Sequence, residues 1–107
     1  MGEDRHGQTA IVFTSARTAD DEEGYSRAAR AMEALAAEQP GFRGMESARG
    51  ADGIGITVSY WANEESAVAW RAHADHRAIR EQGRERWYDW YRVTVARVER
   101  GYSWTGG

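Results

Sequence analysis

The chain has 107 residues, 41% hydrophobic and 29% charged, enough for one packed core and too few for two. A net charge of -3 and a pI near 5.6 argue against general nucleic-acid binding, and the absence of cysteine excludes disulfides, thiolate nucleophiles and cysteine-based metal sites. Mean hydropathy is -0.76 and the apolar runs span only a few residues, so neither a transmembrane helix nor a secretory h-region is visible and a cytoplasmic domain is expected.

Residues 1–8 are polar and predicted to be disordered. Residues 9–17, centred on Ile11, Val12 and Phe13, read as a first strand. A helix follows, with Thr18 or Asp20 as candidate cap, and runs to about Glu38. Its apolar positions Tyr25, Ala28, Ala29, Met32, Leu35 and Ala36 recur at three- and four-residue steps, and Pro40-Gly41 ends it. Phe42 to Gly50 is a second strand, with Phe42, Gly44, Glu46 and Ala48 on one face and Arg43, Met45, Ser47 and Arg49 on the other. Ala51-Asp52-Gly53 signals a turn into a third strand, Ile54 to Trp61. There Ile54, Ile56, Val58 and Tyr60 alternate with Gly55, Thr57, Ser59 and Trp61. Asn63 is a natural cap for a second helix from about Glu64 to Gly83. Trp87 to Tyr91 fits a helix end or a strand start, and Arg92 to Arg100 reads as a fourth strand.

This order is β-α-β-β-α-β. It predicts a ferredoxin-like α+β domain over residues 9–104, an antiparallel sheet with two helices on one face, and a short tail at 105–107. Such a sheet leaves its second face bare, and packing two sheets together as a homodimer is the economical way to cover it.

Two features of composition bear on function. Lysine is absent, so every basic side chain is a guanidinium, which stacks on rings and binds oxyanions bidentately. Four of the five tryptophans lie between residues 61 and 90. At ~100° per residue, Ala67, Trp70, Ala74 and Ala78 form the sheet-facing stripe of the second helix, and Trp70, His73, Arg77, Arg80 and Arg84 form an adjacent stripe, with His76 beyond its edge. His73 and His76 suit proton transfer near neutral pH, or ligation of a metal or haem through one nitrogen. His-x-x-His alone is a weak zinc signal, because zinc needs a third protein ligand. Arg77, Arg80 and Arg84 could hold an anion, or simply pair with Glu81 and Glu85 on a solvated face. Trp61 and Trp70 could line a site for a planar molecule or be plain core. The Trp87, Tyr88, Trp90 and Tyr91 knot suits an interface or a pocket rim.

The phrases Gln39-Pro40-Gly41-Phe42, Ser59-Tyr60-Trp61, Ser66 through His76, and Gly83-Arg84-Glu85-Arg86-Trp87-Tyr88 resemble the antibiotic biosynthesis monooxygenase (ABM) family over roughly residues 9–102. The resemblance implies a dimeric α+β barrel. It implies either a cofactor-independent monooxygenase acting on a small phenol, quinol or polyketide-like aromatic, or a haem-binding or haem-degrading protein; a non-enzymatic dimer that binds a small molecule is the third reading. Trp70 matches a tryptophan that lines the site in family oxygenases and haem degraders. Two positions depart from the haem degraders: Ser15 stands where they carry an asparagine on the first strand, and Arg80 where they carry the iron-ligating histidine. A guanidinium cannot coordinate iron, so a haem would have to use His73 or His76. The leading expectation is an enzyme without cofactor or metal, with His73, His76 and Arg80 catalytic and Trp61, Trp70, Arg77, Arg84 and Ser15 binding substrate.

Overall fold

The computed structural model describes residues 5–80 and 86–106, with the side chains of all of these but 75–80. The elements are β1 (Thr9–Arg17), α1 (Glu22–Ala37), β2 (Phe42–Arg49), β3 (Ile54–Trp61), α2 (Glu64–Arg80) and β4 (Tyr88–Arg97). They form one four-stranded sheet in the order β2-β3-β1-β4, every neighbouring pair antiparallel. This is the expected ferredoxin-like α+β arrangement.

Local chemistry sets the boundaries. Asp21 caps α1, its carboxylate accepting from Gly24 N at 3.2 Å, while Glu22 and Glu23 face the positive end of the helix dipole. Asp21 is left-handed (φ 53°, ψ 52°), a conformation that aspartate tolerates better than most residues. The candidate cap Thr18 is used otherwise: its hydroxyl accepts from Asp20 N and donates to the Arg86 carbonyl at 2.7 Å. At α2, Asn63 Oδ1 accepts from Ser66 N at 2.8 Å and Ser66 Oγ accepts from Asn63 N, a reciprocal cap. In the β2–β3 turn, Asp52 Oδ1 accepts from Ile54 N and Gly53 takes φ 85°, which glycine supplies without steric cost.

Odd-numbered residues of β1 and β3 face the helices. Ile11 and Trp61 pack there with Ala36, Ala67, Trp70 and Ala74, and Met32, Leu35, Phe42, Met45 and Val93 surround this cluster. The opposite face is uncovered in the single chain. Rows such as Ile54–Ala16–Trp90 and Val58–Val12–Thr94 cross it, and Ile54, Ile56 and Trp90 are exposed.

Three expectations are corrected. The last strand is Tyr88–Arg97, starting four residues before Arg92, because Tyr88 pairs with Arg17 and Trp90 with Ala16. The register shift between those pairs leaves Asp89 without a partner, a bulge that turns Tyr88 and Tyr91 to the same face. A second bulge between Phe42 and Gly44 puts Phe42 on the helix side, its ring edge-on to Trp61 at 5.6 Å, away from the face shared by Glu46 and Ala48. Residues 5–8 are tied down, in contrast to the disorder expected through residue 8. Gly7 N donates to the Val98 carbonyl and Val98 N to the Gln8 carbonyl, each at 2.9 Å, while the Arg5 guanidinium lies 4.0 Å from the Tyr60 ring centroid. Residues 1–4 lie outside the described residues.

Trp61 is fully buried between Phe42 and Trp70, and its Nε1 donates to Ser59 Oγ at 2.9 Å. Replacement by alanine removes the largest core side chain, so Trp61→Ala should cost about 3–5 kcal/mol in urea unfolding. A loss below 1 kcal/mol would show that the core does not depend on it.

Candidate functional site

The helices do not close completely on the sheet. A cavity of about 390 Å³ lies between them. Its floor is Ile11 and Phe13 of β1, Met45, Ser47 and Arg49 of β2, and Thr57 and Ser59 of β3. Its walls are Tyr25, Ala28, Ala29, Met32 and Glu33 of α1, Trp70, Arg71 and Ala74 of α2, and Trp87, Tyr88 and Tyr91 at the start of β4. The volume falls within the usual range for small-molecule sites, and the mostly apolar lining with a few placed polar groups is typical of them.

One part of the wall is indole. Trp70 stacks on Trp61 with centroids 5.6 Å apart and planes at 22°, and on His73 at 5.8 Å and 29°. Elsewhere the wall is phenolic and cationic. Arg49 Nη2 donates to Tyr25 Oη at 3.1 Å and Ser15 Oγ at 3.0 Å, and Nη1 donates to the carbonyls of Ser15 and Gly53. Among the described residues Arg49 forms no ion pair, and the one carboxylate residue of the lining is Glu33 on α1. Arg17 lies behind Tyr25, its guanidinium carbon 3.8 Å from the ring centroid, close enough for a cation–π contact. The Arg17 side chain is 3% exposed and is bonded to Glu22 Oε1 at 2.9 Å and to the Asp20 and Trp87 carbonyls. Tyr25 also meets Trp87 and Tyr88 edge-on. Burial, and then the neighbouring Tyr25, push the Tyr88 hydroxyl well above its ordinary range, so it stays protonated.

The wall segment carrying Trp87 is clasped to the start of α1. Arg86 Nε donates to Asp20 Oδ2 at 3.0 Å, Arg86 Nη1 lies 3.5 Å from Asp21 Oδ2, and Trp87 Nε1 donates to Asp21 Oδ2 at 3.2 Å. The Trp87 bond chiefly holds the Asp21 carboxyl below its ordinary value of 3.8, with the Gly24 amide and Arg86 adding to it.

Of the residues anticipated from sequence, Trp70 lines the cavity. Trp61 is buried behind it, and Ser15 is fully buried beneath Arg49. His73 is exposed and lies outside the lining, in contact with Trp70. The side chains of His76, Arg77 and Arg80, and Arg84 altogether, lie outside the described residues. Tyr25 and Arg49 were not anticipated as site residues. Arg49 shares the Met45 and Ser47 face in the strand alternation, and Tyr25 belongs to the apolar stripe of α1, so both were legible as inward-facing but not as partners.

The lowered Asp21 pKa means that its ionised form stabilises the fold above pH 3.8 and that this contribution is lost as pH falls through the lower folded value. Asparagine keeps the capping oxygen and tolerates the left-handed conformation but has no charge. Asp21→Asn should therefore melt below wild type at pH 7, and the gap should close as the pH drops below 3.8. A gap independent of pH in thermal melts would rule out the charge as its origin.

The chain was compared with known proteins. The family model for antibiotic biosynthesis monooxygenase matches residues 9–82. The uncharacterized protein YqjZ of Bacillus subtilis is 50% identical over 91 residues, covering 85% of this chain and 79% of YqjZ. Solved structures share the fold, among them the following two. SnoaB, a cofactor-independent oxygenase from Streptomyces nogalater, superposes with a TM-score of 0.67 at 17% identity, covering 84% of this chain and 91% of SnoaB. A conserved protein from Methanosarcina mazei superposes with a TM-score of 0.74 at 9% identity, covering 89% and 96%. With a family model spanning β1 to α2 and a relative identical at half the aligned positions, the chain belongs to the antibiotic biosynthesis monooxygenase family.

Proposed function

We propose that this protein is a cytoplasmic, homodimeric monooxygenase that works without a cofactor and oxidises a flat phenolic or quinol-like molecule in the cavity. The carrying observation is the cavity itself: Trp70 offers an aromatic plane, while Arg49 and Tyr25 supply a cation and a hydroxyl in the same wall. A planar substrate would stack on the indole with its oxygen toward the hydrogen-bonded Arg49–Tyr25 pair, whose charge favours the ionised form. SnoaB, of the same fold, is described as a cofactor-independent oxygenase, which supports the same class of chemistry here.

The chemistry needs only substrate and dioxygen. Removal of a proton from an activated CH₂ beside the phenol ring gives a carbanion, which adds dioxygen to form a hydroperoxide. Loss of water then leaves a carbonyl. One oxygen atom enters the product, and the other leaves as water with both hydrogens of the CH₂. His73 or His76 takes the first proton, and Arg80, with Arg77 and Arg84, joins Arg49 around the developing anion. The test is dioxygen uptake with a dihydroxyanthrone, matched to quinone formation, without added metal or flavin. Trp70→Ala should lower kcat/KM by about a hundredfold through lost substrate orientation. Replacing the histidine that serves as base should remove the acid limb of the pH–kcat/KM profile, and replacing the other should leave it. No uptake across anthrones and quinols would defeat the enzymatic reading.

The homodimer is supported by the uncovered sheet face. Ile54, Ile56 and Trp90 are 37%, 48% and 41% exposed there, on a face that alternates away from both helices. Ile56→Lys places a charge at the middle of that face and should convert a dimer to a monomer in sedimentation velocity. A wild-type chain that sediments as a monomer at micromolar concentration would refute the dimer.

A further inference from the structure

We propose that Tyr25 is the residue that receives the oxygen of the bound aromatic, and that Arg49 and Arg17 act on the ligand through it. This deepens the reading of the cavity as a substrate site and rests on that reading.

The hydrogen-bond inventory of the two guanidiniums points to it. Arg49 carries four Nη hydrogens, and its two Nη atoms already serve four protein acceptors: the Ser15 and Gly53 carbonyls, Ser15 Oγ and Tyr25 Oη. Arg17 does not line the cavity; its Nη atoms donate to the Trp87 and Asp20 carbonyls and to Glu22, and its buried Nε–H has no partner. Neither guanidinium fork is left open to grip a ligand bidentately. Of the side chains they donate to, Tyr25 lines the cavity, whereas Ser15 is fully buried and Glu22 lies outside the lining. A phenol oxygen that accepts from a guanidinium keeps its own hydrogen to donate, and a bond from a charged neighbour strengthens that donation.

The ring is also fixed. Arg17 covers one face at 3.8 Å, and Trp87 and Tyr88 meet it edge-on at 5.9 and 5.8 Å. The hydroxyl is therefore held in place before a ligand arrives, beside Arg49 in a lining whose other charged residues are Arg71 and Glu33. The acceptor that suits it best is a negatively charged oxygen on a planar molecule, a phenolate or an enolate. Tyr25 is the group that touches the ligand, and Arg49 and Arg17 are positioning residues.

The experiment uses 2-naphthol and its methyl ether as probes, with binding followed by tryptophan quenching and the ionisation of bound naphthol by its absorbance band. Wild type should bind naphthol more tightly than the ether and should show the naphtholate band at lower pH than free naphthol. Tyr25→Phe keeps the ring and its cation–π partner but loses the hydroxyl. It should weaken naphthol binding by about tenfold, the scale of one hydrogen bond to a charged group, and leave the ether within about twofold. Arg49→Gln leaves the Tyr25 hydroxyl and removes the charge, so it should reduce the shift of the naphtholate band without affecting the ether; it carries the same test if Tyr25→Phe fails to fold. Equal naphthol affinity and an unchanged band in Tyr25→Phe would overturn the assignment while leaving the cavity as a binding site. Failure of wild type to bind either probe would overturn the reading of the cavity, and the assignment with it.

Discussion

The structure depends on which side of β3 is bulky. Gly55, Thr57 and Ser59 point toward the helices, while Ile54, Ile56 and Val58 point away from them. In a sheet covered on one side only, the apolar set is expected beneath the cover, with the polar set in water. Here the order is reversed along most of the strand, until Trp61 restores a large ring to the helix side. Small side chains cannot fill the space under α1 and α2, and protein interiors do not otherwise tolerate voids of this size. The cavity is the direct consequence. Trp61, stacked with Trp70 and bonded to Ser59, is what holds α2 to the sheet where packing would otherwise be thin.

The cationic part of the cavity follows from the lysine-free composition. A lysine in place of Arg49 could not serve two carbonyls and two hydroxyls at once, nor lie flat on a ring as Arg17 does on Tyr25. A buried cation needs several acceptors to offset the loss of water. Arg17 has Glu22 and two carbonyls. Arg49 is exposed, so water as well as its neutral protein acceptors offsets its charge. The Asp20 and Asp21 carboxylates, close in sequence, are turned to Arg86 and Trp87, where they hold the wall of the cavity without neutralising Arg49.

Much of this was legible in the residues. Strand alternation placed Met45, Ser47 and Arg49 together and separated Thr57 and Ser59 from the isoleucines, and helical spacing placed Trp70 toward the sheet. Two bulges escaped it. Period-two alternation puts Tyr88 and Tyr91 on opposite faces, and only the unpaired Asp89 brings both into the cavity; the unpaired Arg43 moves Phe42 to Trp61 in the same way. The Tyr25–Arg49–Ser15 cluster joins α1, β2 and β1 across sequence gaps with no periodicity to signal them. Regular spacing belongs instead to the histidine and arginine stripe of α2. His73 carries that spacing yet is exposed, in ring contact with Trp70 and outside the cavity lining, whereas Ala74 of the same turn is buried in it.

Register therefore decides more here than composition. The Asp52-Gly53 turn fixes β2 against β3, with Gly53 in a conformation that other residues resist and Asp52 bonded to Ile54 N. A slip of one residue in β3 would turn Ile54, Ile56 and Val58 under the helices and Thr57 and Ser59 outward. The isoleucines would fill the cavity, and the face opposite the helices would become polar and need no cover. An open interior and an apolar exterior are thus two results of a single alignment. Any change that tightens the core by exchanging these positions should weaken the case for self-association along with the room for a ligand, so the two properties are not independent features of the fold.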